Sequence, residues 1–319
     1  MTTAENDRQL SVQQPRGTWS GDYVSRELGI RIHSDPASAV AIEDLVGLAL
    51  RQNPKRAHLL VSRVLAKHVP TEPALVMAAG KLLGAFIAVE LMALNGPADQ
   101  EQRQQVMALA AQLTAALQFP PGQGHPAIAA LEAGLTRLST EVPEALVIGY
   151  AETATGLGRL VANALGAYYI HSTRHATPGI APVAGFEEGH SHATSHAMVP
   201  ASPHWLDGDG PVVLVDDEFS TGSTVINTIR ELHAMVAHPV YVVAALIDLR
   251  STEDKDRFAA LAEELGCRIH VTALGTGRID LGENVLGRAA NLIATLPPQK
   301  SAAQPAGRLT VLDLSLIHI

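Results

Sequence analysis

The residues best equipped for chemistry lie in one stretch, VVLVDDEFSTGSTVINTIREL (Val212–Leu232). Four β-forming residues run into the acid pair Asp216 and Asp217. After a short spacer, Ser220, Thr221, Gly222, Ser223 and Thr224 lead into an amphipathic helix. In an open α/β sheet, ligands sit beyond the carboxyl ends of the strands, where this acid pair is expected. The loop can bind a phosphate with no basic side chain. Gly222 lets the backbone come close, the first N–H groups of the helix point outward with the positive end of its dipole, and the four hydroxyls add donors. Two carboxylates beside such a cradle suit a vicinal diol and can hold Mg²⁺ directly or through water, which makes Asp216 and Asp217 the candidate metal ligands. A strand-end turn and a helix cap would use some of the same residues, but would not need acids, spacer and TG element in this register. The GK[ST] element of a Walker A loop is absent.

A second strand, tight loop and helix lies upstream in ALVIGYAETATGLGRLVANALG (Ala145–Gly166), with Ala151, Glu152, Thr153 and Ala154 in the loop. Thr153 or Thr155 could cap the helix. Glu152 would repel a phosphate unless a cation lay between them. Residues 175–210 follow, polar and rich in Gly, Pro and His, and read as a long loop of the kind that forms a functional lid. The stretch from His175 to Pro211 holds no Lys or Arg but carries His190, His192 and His196 after Glu187–Glu188. Three uses are open for these imidazoles: none, zinc ligation, or hydrogen bonding and proton donation to a bound ligand. Arg174, at the end of its strand, is the nearest basic residue in sequence. Asn53–Arg56 and Ser62–Arg63 are basic candidates from the N-terminal part.

The elements that must position these groups are legible in outline. From Val142 onward, apolar runs at Ala145–Tyr150, Ala167–Arg174, Pro211–Asp217, Val240–Leu249 and Cys267–Leu274 alternate with helical segments. Continuous apolar strands of this kind belong to a parallel sheet covered on both faces. Upstream, Leu28–His33 reads as a strand. Ser34–Pro36 followed by Ile42, Leu45, Val46, Ala49 and Leu50 predicts a helix ending near Asn53–Pro54. The run Ala57–Leu65 fits either type. Helices are expected from Thr71 to about Leu94, from about Glu101 to Leu117, and after the loop Phe119–Pro126 to about Leu138. The layout is then a disordered tail over 1–20, a mostly helical N-terminal region over 21–140, an α/β core over 141–295, and over 296–319 a linker with a truncated or foreign tail. A missing C-terminal domain would account for the abrupt end.

Composition narrows the class. The chain has 319 residues, 47% hydrophobic and 17% charged, with a formal charge of −9. A negative surface is a poor non-specific partner for nucleic acid, whose binding depends on basic side chains releasing counterions. The single cysteine, Cys267, excludes an internal disulfide and reads as a packed thiol. The polar N-terminus is no signal peptide, and no uninterrupted apolar run approaches about 18 residues, so no membrane is expected and a cytoplasmic location is.

The acid pair followed by the TG loop resembles the signature of the type I phosphoribosyltransferases. Further stretches resemble the phosphoribosyltransferases encoded in bacterial tellurium-resistance-type gene clusters: QNPKRAHLLVSRVLAKHVP (Gln52–Pro70), GYAETATGLG (Gly149–Gly158) and EEGHSHATSH (Glu187–His196). That likeness runs over about residues 20–275. It implies a parallel sheet flanked by helices, with a helical N-terminal region on the acceptor side and a long lid loop. It implies that Asp216 and Asp217 address the ribose hydroxyls of 5-phosphoribosyl-1-pyrophosphate (PRPP), that Ser220–Thr224 hold its 5-phosphate, and that the backbone of Ala151–Ala154 holds pyrophosphate with Mg²⁺. Arg174, His190 and His192 then stand toward the leaving group. The implied reaction transfers phosphoribose to a small nitrogenous, nucleobase-like acceptor. A PRPP-sensing regulator without turnover and the reverse cleavage of a nucleotide use the same site and stay open, as does a homodimer.

Overall fold

A computed structural model describes residues 21–51, 53, 57–95, 100–120, 122–175, 181–187 and 195–296. The expected tail at 1–20 lies outside these, as do all but the first residue of the expected tail at 296–319, and His190 and His192. The core is an eight-stranded sheet flanked by helices, in the order β1-β10-β9-β8-β4-β5-β7-β6. Its strands are β1 (Arg31–Ser34), β4 (Leu146–Gly149), β5 (Tyr168–Thr173), β6 (Ala184–Glu187), β7 (Ser195–Met198), β8 (Val212–Phe219), β9 (Val240–Asp248) and β10 (Arg268–Asp280). The five runs expected to be parallel strands are parallel to their neighbours from β10 to β5. β9 is buried along its whole length, as a strand covered on both faces must be. The fold class is therefore the one expected, a mostly parallel sheet between helical layers.

The helices following the parallel strands are α6 (Thr155–Leu165), α7 (Ser223–Met235), α8 (Thr252–Leu265) and α9 (Val285–Thr295). The N-terminal region adds α1 (Asp22–Leu28), α2 (Ile42–Leu45), α3 (Pro73–Asn95), α4 (Gln100–Leu117) and α5 (His125–Arg137). By length and apolarity Pro73–Leu94 would pass for a membrane span, but most of it is buried inside the protein. Gly80 and Gly84 let α3 approach α6, since a Cβ at Gly84 would lie 2.6 Å from the Ala164 Cβ.

Two sequence expectations give way to pairing. The helix expected through Leu50 is one turn, after which Val46–Leu50 extends as β2 and pairs antiparallel with β3 (His58–Ser62). Ser34–Pro36 do not open the helix: it starts at Ile42 after Ala41 with no side-chain cap of its own, and Ser34, at the end of β1, accepts from the Ile42 N–H at 2.7 Å. An apolar run buried on both faces satisfies either period, and the partner strand decides. Likewise, the stretch read as a structureless loop over 175–210 contains β6 and β7, which form an antiparallel pair extending the sheet from β5. Their short polar alternation carried no strand signal.

Candidate functional site

β4 and β8 are parallel neighbours, and the Tyr150 N–H donates to the Val215 carbonyl at 3.0 Å just beyond the end of β4. That bond brings the 150–154 loop alongside the acid pair. Gly149 and Gly158 permit the tight return, as a Cβ at Gly158 would meet the Gly149 Cα at 2.8 Å. Within the loop, the Ala151 N–H donates to Ser172 Oγ at 2.9 Å and the Ala154 N–H to the Tyr150 carbonyl at 3.0 Å. Among the described residues, the N–H groups of Glu152 and Thr153 have no partner. The Ala151–Glu152 peptide is cis. No side chain caps α6, because the Thr155 hydroxyl donates instead to the Glu152 carbonyl at 3.0 Å, so the expected Thr153 or Thr155 cap is not made. Glu152 is exposed, with His175 Nε2 3.7 Å from its carboxylate.

Ser172 joins this loop to Arg174. Its Oγ lies 2.9 Å from His196 Nδ1, and Arg174 Nε donates to His196 Nε2 at 3.2 Å. A guanidinium cannot accept, so His196 Nε2 must, which assigns a neutral ring with its proton on Nδ1, directed at Ser172. His196 is buried, and its ring meets Tyr150 edge-on at 6.4 Å. The histidine run hinted at a role for His196, but only the β5–β7 pairing brings it behind the loop.

Asp216 and Asp217 are the fifth and sixth of the eight residues of β8, which runs on to Phe219 rather than stopping at the acids. Asp216 Oδ1 accepts from the Asp217 N–H at 2.8 Å. Burial, and then the neighbouring Asp217 carboxylate, push the Asp216 carboxyl well above the usual carboxylate range. Asp217 is paired with Lys67, whose Nζ lies 3.1 Å from Oδ2. Lys67 comes from the turn after β3, and this role was not among the expectations for the N-terminal basic residues. Of those, Lys55 and Arg56 lie outside the described residues, and Arg63 points elsewhere, to the Leu117 carbonyl. Ser62, Lys67, Asp217 and Glu218 share a narrow cleft between the β2–β3 hairpin and the ends of β8 and β9.

The loop after β8 delivers Thr221, Ser223 and Thr224 to the start of α7, with Ser220 exposed. Gly222 is the residue before the helix, with φ 71°, and no side chain caps α7. The hydroxyls of Thr221 and Ser223 are 3.2 Å apart. Arg257 of α8 donates from Nη2 to Ser223 Oγ at 3.2 Å, bringing to the loop a cation that local sequence does not reveal. The glycine also has a packing role. A Cβ there would lie 2.5 Å from Phe258 Cε2, so the missing side chain makes room for a ring beneath the loop, in addition to the positive φ. Gly222→Val is accordingly no mild change. Strain and overpacking should cost about 2–4 kcal/mol, readable as a lowered midpoint in chemical denaturation; wild-type stability would show that the loop is not seated on Phe258.

Below Phe258 lies Arg250, its guanidinium 4.4 Å from the ring centroid. Arg250 makes a two-point ion pair with Asp248, at 2.9 and 2.8 Å, and both side chains are buried. The two buried charges are spent on each other, beneath the ring that supports the loop. Cys267, half-buried before β10, has its thiol pushed up by burial, as a packed thiol rather than a nucleophile.

Fold and sheet edge together define an α/β protein of the phosphoribosyltransferase type. The comparison with protein families is more specific: the family described as phosphoribosyl transferase matches residues 45–278. The chain belongs to that family. No curated protein matches it as a relative. Solved structures with partial likeness include three adenine phosphoribosyltransferases. That of Trypanosoma brucei, in complex with AMP, pyrophosphate and ribose-5-phosphate, is 19% identical over 43% of this chain and 58% of its own, with a TM-score of 0.32. That of Rhodothermus marinus is 22% identical over 48% and 85%, with a TM-score of 0.33. That of Leishmania tarentolae is 16% identical over 53% and 74%, with a TM-score of 0.34. The chain thus spans little more than half of the first of these.

Proposed function

We propose that the protein transfers the phosphoribosyl group of PRPP to a small nitrogenous, nucleobase-like acceptor and releases pyrophosphate. One observation carries this reading: the Tyr150–Val215 bond sets two helix starts without side-chain caps and the acid pair at one sheet edge. One helix start suits each end of a ligand phosphorylated at two places, with the carboxylates between them for the sugar hydroxyls. In this reading Thr221–Thr224 and Arg257 take the 5-phosphate. The free N–H groups of Glu152 and Thr153 take pyrophosphate, with Arg174 held toward them through His196 and Ser172. Asp216 and Asp217 accept from the ribose 2- and 3-hydroxyls.

The acid pair also fits Mg²⁺. Two adjacent carboxylates are hard oxygen donors, and Mg²⁺ characteristically uses one or two of these plus water and substrate oxygens. No group of three or more metal-ligating side chains occurs among the described residues, and none is needed for that mode. When bound, Mg²⁺ would neutralise pyrophosphate charge. The reaction breaks the bond from the anomeric carbon to pyrophosphate oxygen and forms one to acceptor nitrogen. Its transition state has oxocarbenium character, so positioning and charge stabilisation are the protein's contribution. No residue has to act as a covalent nucleophile.

Residues 188–194, which carry His190 and His192 and lie outside the described residues, are proposed to act as a lid over the ligand, and the net charge of −9 disfavours a nucleic-acid-linked sensor. Hydrogen exchange across that segment should slow when PRPP and Mg²⁺ are added; equal exchange in both states would remove the lid from the mechanism. We also propose a cytoplasmic location and a place in a tellurium-resistance-type gene cluster, the second of which gene neighbourhood tests. The decisive experiment is a screen of nitrogenous acceptors for pyrophosphate release from PRPP by the purified protein. Acceptor-dependent release supports transfer. Tight PRPP binding without release under any acceptor would support the sensor, and nucleotide cleavage only when pyrophosphate is added would support the reverse direction.

A further inference from the structure

One contact at the acid edge has no part in the transfer described above. Lys67 Nζ lies 3.1 Å from Asp217 Oδ2, and among the described residues it is the only cation paired with either carboxylate. Its side chain is 38% exposed, but that of Asp217 is only 17% exposed. The lysine also leaves from a fixed point. After β3 the Arg63 N–H donates to the Leu45 carbonyl at 2.8 Å, the Val64 N–H to Ser62 Oγ at 3.2 Å, and the Lys67 N–H to the Leu65 carbonyl at 2.7 Å. Val64 and Leu65, within this turn, are buried in the core. Lys67 lines the narrow cleft together with Val46, Leu60 and Leu246, apolar groups that suit its methylene stem. An ion pair between two free surface side chains is worth little, because both must be ordered and both are solvated. Here the turn and the cleft do the ordering, and one partner is mostly desolvated.

We propose that Lys67 is a positioning residue for sugar binding: it fixes the Asp217 carboxylate in the orientation from which a ribose hydroxyl is taken. This rests on the phosphoribosyl reading of the site. A carboxylate has about four lone-pair sites, and one ammonium on Oδ2 leaves the others for a diol. Without the ammonium Asp217 is free to turn, and its charge stands beside Asp216 unopposed. Lys67 thus acts through Asp217 and has no need to touch the sugar. The group comes from the N-terminal region, 150 residues from the acid it holds, so the acid edge is complete only when that region is folded against β8. A lysine that had to leave Asp217 before a sugar could bind would have the opposite effect on affinity.

The test is titration calorimetry of PRPP with Mg²⁺ on the full chain, comparing wild type, Lys67→Met, Lys67→Arg and Arg51→Met. Arg51 is the control for net charge. Burial, then the charge of Lys67, push the His68 imidazole down; Arg51 adds to this and Asp217 opposes it, so Arg51 shares the neighbourhood without hydrogen-bonding either carboxylate. Lys67→Met should weaken PRPP binding about fivefold. Its denaturant midpoint should stay at the wild-type value, because the lysine stands on an exposed turn. Lys67→Arg keeps the charge and the reach needed for a single-point contact, and should recover most of the loss. Arg51→Met should stay within about twofold of wild type, as a charge screened by solvent. Unchanged or tighter binding by Lys67→Met, no recovery by Lys67→Arg, or an equal loss in Arg51→Met would overturn the inference. Wild-type protein that binds no PRPP would instead remove the phosphoribosyl reading itself, and this role with it.

Discussion

Asp216→Asn/Asp217→Asn should lose PRPP affinity by roughly a hundredfold or more, since in the proposed reading each carboxylate accepts from a sugar hydroxyl or helps to hold Mg²⁺. Titration calorimetry with and without Mg²⁺ measures this. The same change at Asp216 alone should raise stability at neutral pH. The folded protein pushes the Asp216 carboxyl above its ordinary value, chiefly by burial and then by the adjacent Asp217. The folded state therefore holds that proton more tightly than the unfolded chain does. Stability falls as pH rises from the ordinary carboxylate value, about 4, toward the raised one, and that loss is complete above it. Asn removes the loss, so Asp216→Asn should melt higher than wild type at pH 7 and show no advantage below about pH 4. Weaker binding joined to higher stability is the mark of a group retained for function. Unchanged affinity in the double variant would remove the acid pair from the site.

Asp248→Asn should be the most destabilising single change near the site. It leaves the Arg250 guanidinium, only 4% exposed, without its counter-ion. Breaking one side of a buried pair costs about 3–5 kcal/mol, roughly a 10 °C loss in Tm for a protein of this size. Arg250 Nη1 already lacks a partner among the described residues, so the ion pair and the Phe258 ring are what hold the charge in place. Phe258 in turn lies under Gly222, so the loss should reach the loop and reduce phosphate affinity as well. Asp248→Leu/Arg250→Met removes both charges together and should recover much of the stability, because an apolar pair of similar volume carries no desolvation cost. Denaturant unfolding decides. Asp248→Asn within about 1 kcal/mol of wild type, or a double variant no better than the single, would mean that the pair is not desolvated as described.

Much of this protein is local and was legible from residue types in order. The strand–acids–loop–helix course of Val212–Leu232, the similar course of Ala145–Gly166 and the five parallel strands follow from apolar runs long enough to be covered on both faces, punctuated by Gly, Ser and Thr. Other features depend on partners distant along the chain. Lys67 meets Asp217 across 150 residues, and Arg257 meets Ser223 across 34. Arg174 is linked to the Ala151 loop only through His196 and Ser172, because β7 pairs with β5 and brings His196 against Ser172. Val46–Leu50 is a strand because β3 lies beside it, although its periodicity also fits a helix. Gly222 shows the division most clearly. The sequence alone called for a glycine before a helix, while the tertiary structure decided that its bare face meets Phe258, because which surface lies behind a loop depends on how the next strand and helix pack. Local propensity and pattern set the elements; burial, pairing and charge between elements set which side chains converge.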